Sequence, residues 1–476
     1  MNFAAEILRR RRADDAALVA VDRDGDRRRI TFAEIEDASA RLAGRLARLG
    51  ARRGSVVMTV MGTTPDWVET VLACLRIGAV ALPCVTQSRP HDLALRGRLV
   101  DAALVVTTEE HADAVAAAGL GVPVLTLPDA SVRSEAAAPV ADLAAGDPAL
   151  IVFTSGTSGE PKAVVHGVRY LFGQALQAEH WFGARPGDLA WCTAAAGWSK
   201  SARNAFIAPW LRGAAAVVHD GRFDPQERVE LVRSLGVTAL CMSPTEYRMV
   251  LRRADIPPLP ALRSAVAAGE ALEAGTVERW HDATGTWVRD GYGQTETGAI
   301  TTHPPGEAPR AGSMGRPLPG ISVWVEDGQL MLDAASTPTF FLGYRGRPAP
   351  AGAWPTGDLV ERDEDGYLWF KSRADDIILS AGYRIGPAEV EAVLATHPAV
   401  ADAAVVAHPD EERGQVVRAV VVLAPGAVAS DALGRELQEH VKAHTAPYKY
   451  PRLVEFADAL PRTPTGKLSR AALRRT

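Results

Sequence analysis

The sequence predicts an α/β protein with a large, layered N-terminal domain and a small α+β C-terminal domain. Three observations lead there. Strand and helix patterns alternate from the N-terminus to about residue 300, as layered architectures require. The texture changes after Asp358, and 476 residues exceed what one hydrophobic core usually supports. With 47% hydrophobic and 23% charged residues, the chain has ample material for a core, and disorder is excluded.

Taken in order, Ala17 to Val21 and Arg28 to Ile30 read as strands flanking Asp24-Gly25, a hairpin signal. Thr31-Phe32-Ala33-Glu34 is a capping box, so a helix starts there and runs toward Leu49. The periodic run from Asp66 to Ile77 reads as a second helix, and the apolar Ala79 to Val85 as a short strand. Glu135 to Ala145, rich in alanine with Pro139 inside it, is expected to be a surface connection. Past Asp358, Gly366 to Lys371 reads as a strand, Pro387 to Thr396 as a helix and Val417 to Leu423 as a buried strand. The domain boundary is expected near Asp375, dividing 1–374 from 375–476. No internal repeat or low-complexity linker is evident.

Charge excludes some partners. The 52 basic and 57 acidic side chains leave a formal net charge of −5, which gives no general drive toward nucleic acid or an anionic membrane. The apolar stretch from Trp67 to Cys84 is interrupted by Glu69 and Arg76, and no apolar run follows Arg9 to Arg12. Neither a signal peptide nor a transmembrane helix is expected. Cys74, Cys84, Cys192 and Cys241 lack metal-ligand spacing and read as reduced, buried thiols, which suits the cytoplasm.

The most informative stretch is Ile151-Val152-Phe153-Thr154-Ser155-Gly156-Thr157-Ser158-Gly159-Glu160-Pro161-Lys162. An apolar strand ends in a loop of small hydroxylated residues and glycines that closes on a lysine. Glycines let the backbone turn its N–H groups toward an anion, hydroxyls add donors, and the lysine adds a mobile positive charge. The spacing is not that of a Walker A loop. A plain solvent-exposed turn explains the loop alone equally well. Further segments shift that balance: Asp290-Gly291-Tyr292-Gly293-Gln294-Thr295-Glu296-Thr297, Thr356-Gly357-Asp358, Arg373-Ala374-Asp375-Asp376, Gly382-Tyr383-Arg384 and Pro464-Thr465-Gly466-Lys467.

Taken together and in this order, these motifs resemble the adenylate-forming superfamily: acyl-CoA synthetases, peptide-synthetase adenylation domains and luciferases. The tail from His444 to Arg452 looks most like the medium-chain and aromatic acyl-CoA synthetases. The resemblance spans nearly the whole chain. It implies an AMP-forming carboxylate:CoA ligase that activates a medium-chain or aromatic acid with ATP and Mg²⁺ and passes the acyl group to CoA. The rival reading keeps adenylation but delivers to a carrier-protein phosphopantetheine arm or an amine. A non-catalytic nucleotide-binding protein is disfavoured by the joint presence of Lys162, Glu296, Asp358 and Lys467. A homodimer is a further arrangement compatible with the resemblance.

By the same resemblance, Thr154, Ser155, Gly156, Thr157 and Lys162 cradle phosphates, and Glu296 is the Mg²⁺ ligand, a carboxylate suited to a hard cation. Gly269, Glu270 and Tyr292 match the adenine-contacting segments, Gly293, Gln294 and Thr295 are further ATP/AMP-binding positions, Asp358 matches the ribose aspartate, and Arg373 a cation beside the nucleotide. Lys467 is the catalytic lysine that bridges the attacking carboxylate and the α-phosphate. Asp375 matches the hinge about which the small domain rotates between half-reactions.

Ser380 and Gly382 are expected along the pantetheine path, Arg384 near the phosphates of ATP or CoA, and Tyr450 either at CoA or packing the small domain. Ala381 stands where relatives commonly carry a second serine. Trp198 matches the aromatic residue beside the acyl group, and Gly293 lies where acetate-specific relatives carry tryptophan, which argues for a larger acid. Lys200, Ser201 and Asn204 are candidate polar contacts to an oxygenated or aromatic acid, although Lys200 pointing outward is the ordinary alternative. The chain departs from the medium-chain pattern at Ala194-Ala195-Ala196 and has a compact Val323 to Trp354 region.

Overall fold

The computed structural model describes residues 1–155, 161–310, 312–374, 376–380, 383–410, 413–462 and 468–474. Two compact units emerge, the larger from Met1–Gly156, Pro161–Ser322 and Asp333–Ala353, the smaller chiefly from Val323–Leu332 and Trp354–Thr476. The large N-terminal and small C-terminal parts are as expected. The packing break differs from one at Asp375, because the strands Ala353–Arg362 and Leu368–Arg373 pair with each other and share a four-stranded sheet with Val323–Glu326 and Gln329–Asp333. Residues 354–374 therefore pack with the C-terminal unit. Asp375 itself lies outside the described residues.

In the large unit, local signals build the first elements as predicted. Ala16–Val21 and Arg27–Thr31 form an antiparallel hairpin. The helix Phe32–Arg48 starts on a capping box in which the Thr31 side chain accepts from the Glu34 N–H while the Glu34 carboxylate accepts from the Thr31 N–H at 2.7 Å. Helix Pro65–Ile77 has Thr64 as N-cap and ends on Gly78, and the strand Val80–Cys84 follows. The Glu135 to Ala145 connection has no regular structure, yet it is anchored: Glu135 is buried and takes an ion pair from Arg48, and Ala138 and Leu143 enter the core.

Two sheets, one of eight strands and one of seven, organise this unit. Alternate residues of their strands separate onto opposite faces. Leu104 and Val106 join one core while Val105 joins another, and Val218 and Val217 divide in the same way. The shared core takes in helices Phe32–Arg48, Pro65–Ile77, Val168–Gln177 and Ile207–Arg212, so these helices lie between the sheets. Each sheet is covered on both faces, which is why its parallel strands read as near-continuous apolar runs. All four cysteines are buried and free, as expected.

The small unit is α+β. Its five-stranded sheet centres on Gly414–Leu423, flanked by Val400–Asp410 and Leu453–Phe456, and helices Pro387–Leu394 and Asp431–His444 share its core. Among the described residues, no helix is long and apolar enough to cross a membrane.

Thr31→Ala removes one half of the capping box at an exposed helix start. It is expected to lower the stability of the large unit by about 1 kcal/mol, read as a shifted denaturant midpoint without a change of slope.

Candidate functional site

In the seven-stranded sheet, Leu189–Cys192, Ala239–Met242, Ser264–Ala267 and Val288–Asp290 run parallel. Their register aligns Cys192 with Cys241, Met242 with Ala267, and Ala267 with Asp290. All four strands therefore stop at one edge. Thr193, Ser243, Ala268-Gly269-Glu270 and Gly291-Tyr292-Gly293 leave the sheet side by side. The crevice outside the carboxyl ends of parallel strands is the general ligand position in open α/β sheets. Folding thus brings together Gly269, Glu270, Tyr292 and Gly293, which the sequence places far apart.

Their side chains are held in different ways. Glu270 is occupied by the start of helix Pro244–Arg253: its carboxylate accepts from the Thr245 hydroxyl at 2.9 Å and lies 3.5 Å from Arg248. The Glu270 carboxylate is thereby committed to partners within the protein. Tyr292 is half-buried, and its backbone N–H donates to the Thr301 hydroxyl at 3.2 Å. Gly293 and Gln294 pair antiparallel with Ala299 and Gly298, and residues 295–297 form the turn between them. A Cβ at Gly293 would sit 1.9 Å from the Gly298 carbonyl oxygen. In this structure backbone crowding holds the position to glycine, and a larger side chain there would require the 293–299 turn to shift.

Glu296 sits in that turn. The Tyr344 hydroxyl donates to its Oε1 at 2.9 Å, and the Phe341 N–H donates to its carbonyl at 2.8 Å. Tyr344 belongs to the short strand Gly343–Tyr344, which pairs with Pro161–Gly167 and sets Tyr344 opposite Val164. On that neighbouring strand the exposed Lys162 holds its ammonium 5.5 Å from the centre of the Tyr344 ring. Burial first, then the Glu296 charge, pushes the Tyr344 hydroxyl well above its usual range, so it remains a donor. One tyrosine therefore links two motif residues, and sequence reasoning missed it. Its signal was Gly343 preceding a tyrosine at the end of an apolar run.

Thr154 lies one residue before the end of the strand Pro148–Ser155 and pairs across the hairpin with Lys162. Gly156, Thr157, Gly382, Lys467 and Asp375 lie outside the described residues, as do the side chains of Ser155 and Arg384. Among the described residues, no group of three His, Cys, Asp or Glu side chains could hold a metal ion. Glu296 is thus a single carboxylate with one oxygen fixed by a hydroxyl. That donor set fits Mg²⁺, which commonly takes one or two carboxylates and completes its shell with water and phosphate oxygens.

Lys200, Ser201 and Asn204 lie on the helix Ser199–Asn204, which follows the half-buried Trp198. Gly197 just before it has φ +95°, and a Cβ there would lie 2.4 Å from the Val85 nitrogen. The three polar residues separate. Asn204 is buried and accepts from the Gln177 amide at 2.8 Å, and Ser201 is buried on the same helical face one turn earlier. Lys200 does not point outward: it is 9% exposed and its ammonium donates to the Ala268 carbonyl at 3.0 Å, at the edge where the strands stop.

In the small unit, Asp358 and Arg373 face each other across paired strands, with Arg373 Nη1 3.1 Å from Asp358 Oδ1. Arg373 also donates to the Thr356 carbonyl at 3.1 Å, and Asp358 is buried. Ser380 is buried at the end of strand Ile378–Ser380. Tyr450 lies 4.3 Å from the Lys442 ammonium and 5.0 Å from the Arg452 guanidinium, packed against the small unit's core.

Comparison with known proteins gives a consistent result. The family model described as AMP-binding enzyme matches residues 5–333, and the AMP-binding enzyme C-terminal domain matches 389–467. The chain is 35% identical to an acyl-coenzyme A synthetase, ACSM4, mitochondrial, of Rattus norvegicus, over 99% of this chain and 90% of that one. It is 36% identical to the uncharacterized acyl-CoA ligase YtcI of Bacillus subtilis (strain 168), over 96% and 92%. Among solved structures, a benzoate CoA ligase from Burkholderia xenovorans LB400 superposes with a TM-score of 0.88 at 28% identity, with both chains covered in full.

Burial pushes the Asp290 carboxyl up to about 8, far above an aspartate in the unfolded chain. The folded state therefore keeps a proton that the unfolded chain has already released. This group's contribution to stability is full below about pH 4 and is lost as pH rises toward about 8. Asp290→Asn is expected to flatten that loss, so thermal midpoints of the variant should gain on the wild type between pH 5 and 8, by about 1–2 °C for each kcal/mol relieved.

Proposed function

This chain belongs to the AMP-binding enzyme family and is an AMP-forming acyl-CoA synthetase, and we propose that its acid is a medium-chain or aromatic carboxylic acid. It uses ATP, a carboxylic acid and CoA. The aromatic part of the proposal is supported by likeness to the Burkholderia benzoate CoA ligase, the medium-chain part by the tail from His444 to Arg452. Its reduced, buried thiols suit a cytoplasmic enzyme. The observation that carries the site assignment is the common edge at which four parallel strands release residues 193, 243, 268–270 and 291–296.

In the first half-reaction a carboxylate oxygen attacks the α-phosphorus of ATP, and pyrophosphate leaves. Negative charge gathers on the α-phosphoryl oxygens and the leaving group. Lys162 and the backbone N–H groups following Thr154 receive the outer phosphates, and Lys467 offsets charge between the carboxylate and the α-phosphate. Glu296, with one oxygen fixed by Tyr344, would hold Mg²⁺, which supplies positive charge to the phosphates. Asp358 accepts from the ribose hydroxyls, its carboxylate steadied by the Arg373 ion pair. In the second half-reaction the CoA thiolate attacks the acyl carbonyl and AMP leaves. Rotation about Asp375 would exchange Lys467 for the Ser380 to Arg384 face, with Gly382 giving the pantetheine arm a close backbone approach.

The reading is tested by mass spectrometry of reactions containing ATP, Mg²⁺, CoA and a panel of medium-chain, branched and aromatic acids. An acyl-CoA formed together with AMP is the expected result, whereas acyl-adenylate without thioester would move the acceptor to a carrier protein or an amine. Lys467→Ala is expected to slow acid-dependent pyrophosphate release by roughly two to three orders of magnitude. Tyr344→Phe keeps the ring near Lys162 and removes only the hydroxyl on Glu296. The Mg²⁺ concentration giving half the maximal rate should rise about tenfold in that variant.

A further inference from the structure

Lys200 is a buried cation short of partners. Its ammonium has three donors, and among the described residues its one hydrogen bond goes to the Ala268 carbonyl, with no carboxylate at ion-pair distance. An unpaired charge in such a place is costly, so a partner arriving from elsewhere is expected to bind well.

The groups around it do not supply that charge. Asp290 ends the adjacent strand, but burial pushes its carboxyl up to about 8, leaving it mostly uncharged at neutral pH. Cys192, whose sulfur lies 3.9 Å from the Lys200 carbonyl oxygen, and Cys241 face the same region. The Cys241 thiol and then the Lys200 cation draw the Cys192 thiol below its usual range, while Cys241 is raised. Glu246, the next acid, is engaged by Thr193, Ser243 and Arg228.

Location gives the unpaired donors a use. Ala268 is the residue through which strand Ser264–Ala267 passes into Gly269, and Lys200 stands two residues beyond Trp198. Resting on the ligase reading above, we propose that Lys200 is a specificity-determining residue that selects acids carrying a second oxygen acceptor, a hydroxyl, oxo or carboxylate group, away from the reacting carboxylate. Plain alkyl and unsubstituted aromatic acids leave its donors unmatched. A site built to hydrogen-bond a substrate group discriminates strongly against the analogue that lacks it.

The test uses the full chain and size-matched acids: benzoate against its 2-, 3- and 4-hydroxy forms, and hexanoate against 6-hydroxyhexanoate and adipate. Acid-dependent ATP–pyrophosphate exchange gives kcat/KM for each. The wild type should favour at least one oxygenated acid over its plain partner by tenfold or more. Lys200→Met should collapse that ratio at least tenfold, and Lys200→Arg should restore most of it. Equal loss on both members of each pair in Lys200→Met would assign Lys200 to the reacting carboxylate or to the fold and overturn the proposal. A wild type that prefers the plain acid in every pair would overturn it while leaving the ligase reading intact. Exchange with none of the acids, hydroxylated or plain, would count against both.

Discussion

Everything at the candidate site depends on the register of four parallel strands. Because Cys192, Cys241, Val266 and Arg289 fall in step across the sheet, segments separated by up to about a hundred residues emerge at one edge. A slip of one residue would turn each side chain to the other face. Burial on both faces makes such a slip expensive, since Leu240 and Met242 fill one core and Ala239 and Cys241 the other. The same apolar packing that stabilises the sheet therefore fixes the positions of the residues that would meet a ligand.

Charge is then placed by pairing rather than by abundance. Tyr344 joins Glu296 by a hydrogen bond and carries the Lys162 cation near its ring, so a carboxylate and an ammonium are kept near one another without neutralising each other directly. Asp358 and Arg373 reach a similar end differently, with a cross-strand ion pair in which Arg373 also holds the Thr356 carbonyl. Lys200 is the exception, a buried cation whose one hydrogen bond among the described residues goes to a backbone carbonyl. Its asymmetry at an otherwise balanced edge is what gives it meaning.

The parts legible in the sequence are those written locally. Thr31 and Glu34 announce a helix start within four residues, and the run from Asp66 to Ile77 carries its own period, so both elements appear where expected. Features created by pairing between distant strands were not legible. Tyr344 acquires its place only because Gly343–Tyr344 adds to the strand containing Lys162. The close approach of the Gly298 carbonyl to Gly293 likewise arises only when the two short strands pair. Lys200, Ser201 and Asn204 were expected as polar contacts to the acid, and the helical turn sends Lys200 to the strand ends and Asn204 to Gln177. Likewise the break near Asp375 was drawn from a change of texture, whereas packing follows the sheet that joins residues 323–332 to 354–373.

The central claim is that a carboxylate oxygen bonds to the α-phosphorus of ATP and leaves with AMP. It is tested most directly by supplying an accepted acid labelled with ¹⁸O in its carboxylate, together with ATP, Mg²⁺ and CoA, and weighing the nucleotide product. Attack at the α-phosphorus predicts AMP carrying one ¹⁸O for each acyl-CoA formed. Unlabelled AMP, or ADP with the label in inorganic phosphate, would contradict it.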